Sequence, residues 1–154
     1  MELVRIKIED AHKLWEMQVE AFRDLYQRYQ DTETSPATEN VDKILTRLRQ
    51  PFSYYYYIQE DGETVGAVRV VDKKDQNTPK RISPIFIMPQ YRNRGLAQKA
   101  IRAVETLHGN SNWELDTILQ EKANCYLYEK MGYYKTGKTE VINDKMTLVF
   151  YKKD

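Results

Sequence analysis

The stretch Ile85-Phe86-Ile87-Met88-Pro89-Gln90-Tyr91-Arg92-Asn93-Arg94-Gly95-Leu96-Ala97-Gln98-Lys99-Ala100 determines how the fold is assigned. An apolar run ends at Pro89, a short basic loop follows, and an amphipathic segment begins at Gly95. This order is typical of a buried strand, a turn and the N-terminus of a helix. The first amides of a helix have no partner within it, and the helix dipole makes that end positive. The stretch therefore predicts a place where an anion such as a diphosphate is stabilised.

The side chains of the loop favour the same interpretation. Gly95 and Ala97 carry little or no side chain, so a phosphate can approach the backbone closely. Arg92 and Arg94 add charge-assisted contacts. We therefore predict a phosphate cradle, residues 92–98, that needs no metal. Taken alone, Arg-x-Arg-Gly-x-Ala is more typical of an ordinary loop with solvated arginines, but the flanking strand and the strong helix favour the cradle.

Composition limits the classes of function. A chain of 154 residues suits a single domain, residues 1–154, with one core. The formal net charge of +1 provides no basic field for nucleic acid, and no apolar run approaches the ~20 residues of a membrane helix. The N-terminus is too polar for a signal peptide, and a lone cysteine, Cys125, fits a reducing compartment. We expect a cytoplasmic protein without a metal site, a nucleic-acid partner or a membrane partner.

Hydrophobic periodicity predicts the order β-α-α-β-β-β-α-β-α-β-β, a mixed α/β architecture around one sheet. Strands are predicted at residues 3–8, 54–59, 64–71, 81–88, 113–118, 133–142 and 145–151. Helices are predicted from a cap at Asp10 to about Tyr29, and at residues 40–49, 95–107 and 121–131. The tyrosine run at residues 54–57 fits strand packing better than the lining of a ligand cleft.

Two motifs in this chain resemble the GNAT (Gcn5-related N-acetyltransferase) superfamily. The signature Arg/Gln-x-x-Gly-x-Gly/Ala is present as Arg92-Asn93-Arg94-Gly95-Leu96-Ala97, preceded by Pro89-Gln90-Tyr91. The second motif is Leu127-Tyr128-Glu129-Lys130-Met131-Gly132-Tyr133. The resemblance implies the GNAT fold, an α/β fold with a single mixed, mostly antiparallel sheet flanked by helices. It also implies transfer of an acetyl group from acetyl-CoA to a primary amine of a small molecule or peptide, whose identity the sequence does not give.

The resemblance also implies a binding mode. The pantetheine arm would lie between the predicted strands 81–88 and 113–118, and backbone groups of Phe86, Ile87 and Met88 would pair with it as a further strand does. A backbone N–H at a strand bulge near Ile87 would stabilise the oxyanion. The cofactor-binding residues implied are Phe86, Ile87, Met88, Arg92, Asn93, Arg94, Gly95, Leu96, Ala97, Gln98, Asn124 and Tyr128.

The resemblance implies that the helix predicted at residues 121–131 supplies the general acid. Tyr128 matches the family tyrosine that protonates the departing thiolate, although a packed core tyrosine is the alternative interpretation. Asn124 lies one turn earlier on the same helical face. Many family members have an asparagine seven residues before the tyrosine, where this chain has Glu121. The sequence leaves open whether Asn124 takes over its contact with the pantetheine arm.

The general base is not identified, because the strand before the glycine loop has no acid. The acceptor is not identified either. Four acids lie in the first helix and its loop, where the family usually builds the acceptor pocket: Glu20, Asp24, Asp31 and Glu33. They would favour a cationic amine, but each is more often a solvated surface residue. A coenzyme A-binding sensor without turnover is the alternative function. By analogy with the family, a homodimer through an edge at residues 147–151 is also possible.

Overall fold

The computed structural model describes all 154 residues. Its seven strands are Glu2–Arg5 (β1), Ser53–Glu60 (β2), Glu63–Val71 (β3), Lys80–Ile87 (β4), Trp113–Ile118 (β5), Tyr134–Asn143 (β6) and Met146–Lys153 (β7). Its helices are Ala11–Tyr29 (α1), Val41–Arg49 (α2), Leu96–His108 (α3) and Lys122–Lys130 (α4). The strands form one sheet in the order β1-β2-β3-β4-β5-β7-β6. Because only β4 and β5 pair in parallel, the predicted mixed and mostly antiparallel sheet is confirmed.

The helices cover the two faces of the sheet with separate apolar clusters. On one face, α1 and α2 pack against a cluster that includes Leu14, Ile44 and Phe86. On the other face, α3 and α4 pack against a cluster that includes Ile101 and Trp113. The tyrosine run of β2 alternates between the two clusters and is buried from residue 55 to 57, as expected for strand packing.

The largest boundary error lies at the start of the chain. The strand predicted at residues 3–8 ends at Arg5, because Ile8–Asp10 forms a 3₁₀ turn. Asp10 makes no side-chain cap to α1, since its φ and ψ of −90° and 5° are not the extended values that a cap requires. The other predicted boundaries agree with the structure to within two residues.

The sheet is split between β4 and β5. The two strands pair only at their first residues, Lys80 with Trp113 and Arg81 with Glu114. From Ile82 onward they diverge, whereas β5 remains paired with β7 along its whole length. The divergence opens a gap at the C-terminal ends of two neighbouring parallel strands, where ligands bind in many open α/β sheets.

The position of the C-terminal strands in the sheet differs from the one that the predicted homodimer requires. Strand β7 lies between β5 and β6, so residues 147–151 are not a sheet edge. The edge is β6, and residues 134–141 of that strand are exposed. The proposed edge was therefore wrong, because β6 pairs with β7 and occupies its hydrogen-bonding groups on that side.

None of the helices combines the length and the apolar character of a membrane span.

Candidate functional site

Two cavities meet at the gap between β4 and β5. The α3 cavity, of about 380 Å³, lies beside the N-terminus of α3. The β7 cavity, of about 350 Å³, lies between α1, β4, β5 and β7. Residues common to both are Phe22, Leu25, Ile85, Asn124 and Tyr128. A molecule bound in one cavity can therefore meet a molecule bound in the other beside Tyr128.

The α3 cavity contains free backbone donors. Gly95 precedes α3 with a φ of +72°, in the left-handed region that favours glycine. No protein group accepts from the amides of Leu96, Ala97 or Gln98, and no side chain caps the helix. These donors lie at the positive end of a helix of 13 residues. The arrangement matches the predicted cradle and can hold an anionic group.

The two arginines of the cradle differ. The guanidinium of Arg92 donates from Nε to the Ile87 carbonyl at 3.0 Å, from Nη2 to the Ala21 carbonyl at 2.7 Å and from Nη1 to Asp24 at 3.3 Å. Three of its five N–H groups thus bond the protein, so Arg92 fastens α1 to the end of β4. Its contact with the anion stays a prediction. Arg94 is exposed and stacks its guanidinium over Tyr91, so it remains available to an anion.

The backbone of β4 presents alternate residues to the gap. The Met88 amide donates to the Val65 carbonyl at 2.7 Å, on the β3 side. Since backbone groups alternate along a strand, Phe86 also faces β3, while Ile85 and Ile87 face the gap. The prediction that Phe86 and Met88 pair with the arm through their backbone is thus corrected. The backbone of Ile87 faces the gap, as that prediction requires, and so does the backbone of Ile85, which the sequence argument did not consider.

The irregularity in β4 also lies earlier than predicted. The register with β3 shifts between the pairs Val70–Ile82 and Val68–Ile85, which places the bulge at residues 83–84 rather than near Ile87. Pro84 was the missed signal, because proline lacks an N–H and occurs in sheets mainly at edges and bulges. On β3, a Cβ on Gly66 would collide with the Phe86 carbonyl oxygen, so this close approach of the two strands requires glycine.

Tyr128 lies where the two cavities join. Its ring is only 8% exposed and packs against Tyr133 and Tyr151 at centroid distances of 6.1 and 6.2 Å. Those two tyrosines donate to Glu105 and Glu129, whereas no protein group bonds the hydroxyl of Tyr128. Burial raises the pKa of Tyr128 well above its usual range, with smaller contributions from Asp116 and Cys125. The hydroxyl stays protonated near neutral pH and can donate a proton in the cleft.

The residues around Tyr128 on α4 divide into free and engaged groups. Asn124 lines both cavities, and its side chain has no protein partner. Glu121, which replaces the family asparagine, accepts from Arg28 Nη1 at 2.6 Å and from the Tyr29 hydroxyl. Glu121 thus joins the end of α1 to the start of α4, and Asn124 is the free amide of this helix that reaches the cleft.

The four acids considered for the acceptor pocket separate in the structure. Asp31 lines the β7 cavity, but its oxygens accept from the amides of Glu33 and Thr34 and from the Thr34 hydroxyl. Asp24 lines the α3 cavity, where it pairs with the guanidinium described above. Glu20 and Glu33 line neither cavity.

The carboxylate that sequence reasoning missed is Asp116 of β5. It lines the β7 cavity and accepts from Arg81 Nη2 at 2.8 Å. Strand periodicity signalled its orientation, because Leu115 and Thr117 are buried on the opposite face. No three His, Cys, Asp or Glu side chains of the protein cluster as metal ligands would.

Comparison with known proteins agrees with the fold and the motifs. Residues 11–133 match the model of the Acetyltransferase (GNAT) family. N-acetyltransferase family 8 member 3 of Mus musculus is 30% identical over 108 residues, which are 66% of this chain and 48% of that protein. The chain thus spans about half the length of the curated relatives it matches.

Solved structures share the fold at low sequence identity. Spermidine N-acetyltransferase from Vibrio cholerae, in complex with CoA and spermine, superposes with a TM-score of 0.75 at 14% identity, covering 97% of this chain and 92% of that one. The PaiA N-acetyltransferase from Thermoplasma acidophilum, in complex with coenzyme A, gives a TM-score of 0.72 at 14% identity, covering 99% and 98%. With the family model matched over most of its length, the chain belongs to the GNAT acetyltransferase family.

Proposed function

We propose that the protein transfers the acetyl group of acetyl-CoA to a primary amine of a small molecule or peptide, with Tyr128 as the general acid. One observation carries the proposal: a cavity with free helix amides and a second cavity meet at a tyrosine whose hydroxyl has no protein partner. Such a cleft can admit the acetyl donor from one side and the amine from the other. Family members of similar fold have been solved with CoA or acetyl-CoA, which supports this assignment of the donor side.

The donor side would bind through backbone groups. The amides of residues 94–98 would hold the diphosphate, helped by the positive end of α3 and by the exposed charge of Arg94. The outward backbone groups of Ile85 and Ile87 would pair with the pantetheine arm in the gap that β5 leaves open. Asn124 would contact the same arm from α4. None of these contacts requires a metal ion.

The chemistry follows from the groups that converge on the gap. The ammonium group of the acceptor first loses one proton to water, and the neutral amine nitrogen then attacks the thioester carbonyl. The Ile87 N–H would stabilise the charge that develops on the carbonyl oxygen. The carbon–nitrogen bond forms, the carbon–sulfur bond breaks, and Tyr128 gives its proton to the leaving sulfur. The tyrosinate recovers a proton from the nitrogen of the new amide through water. Tyrosine is protonated near neutral pH at its ordinary pKa, and burial raises the pKa of Tyr128 further, so the group carries its proton at the start of each turnover.

The donor half of the proposal is tested by thermal unfolding with added acetyl-CoA. A ligand that binds only the folded state at a hundred times its Kd stabilises it by about 2.7 kcal/mol. For a chain of this size we expect a rise in Tm of about 5 to 10 °C. An unchanged Tm at millimolar acetyl-CoA would argue against both an acetyltransferase and a coenzyme A sensor.

The transfer half is tested by incubating the protein with acetyl-CoA and a panel of primary amines while free thiol is measured. We expect amine-dependent release of thiol, above the rate of acetyl-CoA hydrolysis. A protein that binds acetyl-CoA but releases no thiol with any amine of the panel would fit the sensor alternative and would exclude the proposed transfer to this class of acceptor.

A further inference from the structure

We propose that Asp116 binds the ammonium group of the acceptor, and that the β7 cavity takes a small monoamine with an apolar body rather than a polyamine. This inference rests on the proposed function and names its substrate class. It uses a carboxylate of β5, a strand on which the sequence argument placed no site residue.

Asp116 is one of the two carboxylates that line the β7 cavity. It lines the same cavity as Tyr128, so an amine held by its carboxylate lies on the acceptor side of that hydroxyl. Its negative charge also contributes to the raised pKa of Tyr128. Ile85 lines the same cavity, so an ammonium group bound at Asp116 would share that cavity with a residue of β4 whose backbone faces the gap.

The hydrogen bonds of Asp116 leave it one free oxygen. Oδ2 accepts from Arg81 Nη2 at 2.8 Å, and no protein group donates to Oδ1. The side chain is 29% exposed, so a ligand can reach it. The other carboxylate of the cavity, Asp31, accepts from protein donors at both of its oxygens. Asp116 is thus the carboxylate of the β7 cavity that can still accept a hydrogen bond from a cationic ligand.

Apolar side chains form one part of the cavity wall, beside the polar residues Thr34, Ser35, Ser83, Thr117 and Asn124. The walls that would surround the body of the ligand include Phe22, Leu25, Ile118, Met146 and Leu148. A volume of about 350 Å³ is at the small end of ligand pockets, which span ~300 to 1,000 Å³. A polyamine would place further ammonium groups against these walls with no second free carboxylate, which costs free energy. A monoamine with an aromatic or branched aliphatic body avoids that cost.

Calorimetric titration of phenethylamine into the CoA-saturated protein tests the inference without relying on turnover. We expect Asp116→Asn to weaken amine binding by at least about tenfold, because it removes the charge that pairs with the ammonium group. Glu114→Gln is the matched control, since Glu114 lies on the same strand and also contacts Arg81, at 3.4 Å, but does not line the cavity. That variant should bind phenethylamine within about twofold of the unchanged protein.

Two ligands sharpen the test on the unaltered protein, so that it does not depend on the folding of any variant. The alcohol 2-phenylethanol has the same body without the charge and should bind more weakly than phenethylamine. Spermidine should also bind more weakly than phenethylamine. Equal binding of amine and alcohol, equal losses in both variants, preferred binding of spermidine, or no binding of phenethylamine would each overturn the inference.

Kinetics then separate this inference from the proposed function. With turnover, Asp116→Asn should raise KM for the amine at least about tenfold and leave KM for acetyl-CoA unchanged. Binding that depends on Asp116 in a protein without turnover would contradict only the proposed transfer. Turnover with an amine KM that is indifferent to Asp116 would contradict only the inference.

Discussion

The two cavities that meet at Tyr128 are built in different ways. The N-terminus of α3 offers backbone amides from one continuous stretch of chain, residues 94–98. The β7 cavity is lined by side chains from α1, the loop after it, β4, β5, α4 and β7. A motif in the sequence can therefore specify the first, while the second exists only once distant elements have packed together.

The α3 cavity therefore depends on a backbone conformation, and the β7 cavity depends on individual side chains. Backbone amides are present whatever the side chains are, so the cradle depends mainly on a loop conformation that Gly95 permits. The β7 cavity changes its chemistry with each lining residue, and its one free carboxylate is Asp116. Variants that act on the backbone, on the shared tyrosine and on remote side chains should therefore give separable effects.

The largest effect is expected at the residue that both cavities share. Tyr128→Phe removes the proton donor and should lower kcat by about 10²-fold or more, while acetyl-CoA affinity stays nearly unchanged. Its hydroxyl has no protein partner, so the free energy of unfolding should also change little. Steady-state kinetics, titration with acetyl-CoA and thermal unfolding measure the three quantities.

Tyr133→Phe is the matched control for that variant. Tyr133 packs against Tyr128 but donates to buried Glu105 at 3.1 Å. Losing this bond should lower the free energy of unfolding by about 1 kcal/mol and leave kcat nearly unchanged. If acetyl-CoA affinity collapsed in Tyr128→Phe, the tyrosine would be a packing residue and the proposed acid would have to be another group.

The second-largest effect is expected for the backbone conformation at Gly95, beside the α3 cavity. Gly95→Val should weaken acetyl-CoA binding by about tenfold, because a β-branched residue at positive φ costs about 1–2 kcal/mol and drives the loop towards another conformation. The amides would then turn away from the anion. Calorimetry with acetyl-CoA measures the loss.

Gly62→Val provides the same backbone strain away from the cleft. Gly62 has a φ of +80° in the turn between β2 and β3, and a Cβ there would meet nothing within 4 Å. That variant should lose stability but keep its acetyl-CoA affinity. Equal affinities in the two valine variants would show that the conformation at Gly95 is irrelevant to binding of the donor.

Features encoded in a continuous stretch of sequence could be predicted, whereas features that depend on the packing of distant elements could not. Periodicity and breakers gave the order of all eleven helices and strands, because these signals are local. The helix start at Gly95 and the position of Tyr128 came from continuous motifs. The hairpin of β6 and β7 was also predicted locally, from Asn143-Asp144. The bulge at residues 83–84 and the pairing of β7 with β5 depend on long-range strand registers that a single sequence does not encode locally. Asp116 was missed because its partner Arg81 lies on another strand, and the cavity that Asp116 lines forms only when distant elements pack together.

Variants of the two arginines of the loop, Arg92 and Arg94, test which of them contacts the ligand and which stabilises the fold. Arg92→Ala should lower the free energy of unfolding by about 1–3 kcal/mol, because the carbonyls of Ile87 and Ala21 lose their charged donor. Arg94→Ala should leave stability unchanged and weaken acetyl-CoA binding by about two- to fivefold, an effect that high salt reduces. Chemical denaturation and titration at two salt concentrations distinguish them. A stable Arg92→Ala protein with a large loss of acetyl-CoA affinity would instead support the predicted contact of Arg92 with the anion.

The smallest effect is expected at the end of α3 away from the cradle. His108 bonds through Nδ1 to Asp72 at 2.8 Å and through Nε2 to the Tyr56 hydroxyl at 2.8 Å. Burial lowers the pKa of His108; Asp72 opposes this shift, while Lys74 and Lys80 contribute to it. Between that lowered pKa and about 6.5 the unfolded chain binds a proton that the folded protein does not. The free energy of unfolding should therefore fall as the pH drops below about 6.5, by at most ~1.4 kcal/mol per pH unit.

Asp72 does not alter the sign of this slope in the same window. Its pKa is itself lowered, so its contribution is complete above the ordinary value of 3.8 and constant between pH 7 and 5. Thermal unfolding at several pH values should show the slope, and His108→Gln should flatten it, whereas His12→Gln, at an exposed site, should not. Acetyl-CoA affinity should be the same in both variants, because neither histidine lines the α3 cavity or the β7 cavity. A loss of affinity in His108→Gln would mean that the far end of α3 is coupled to its N-terminus, and the donor side would then depend on tertiary packing as the acceptor side does.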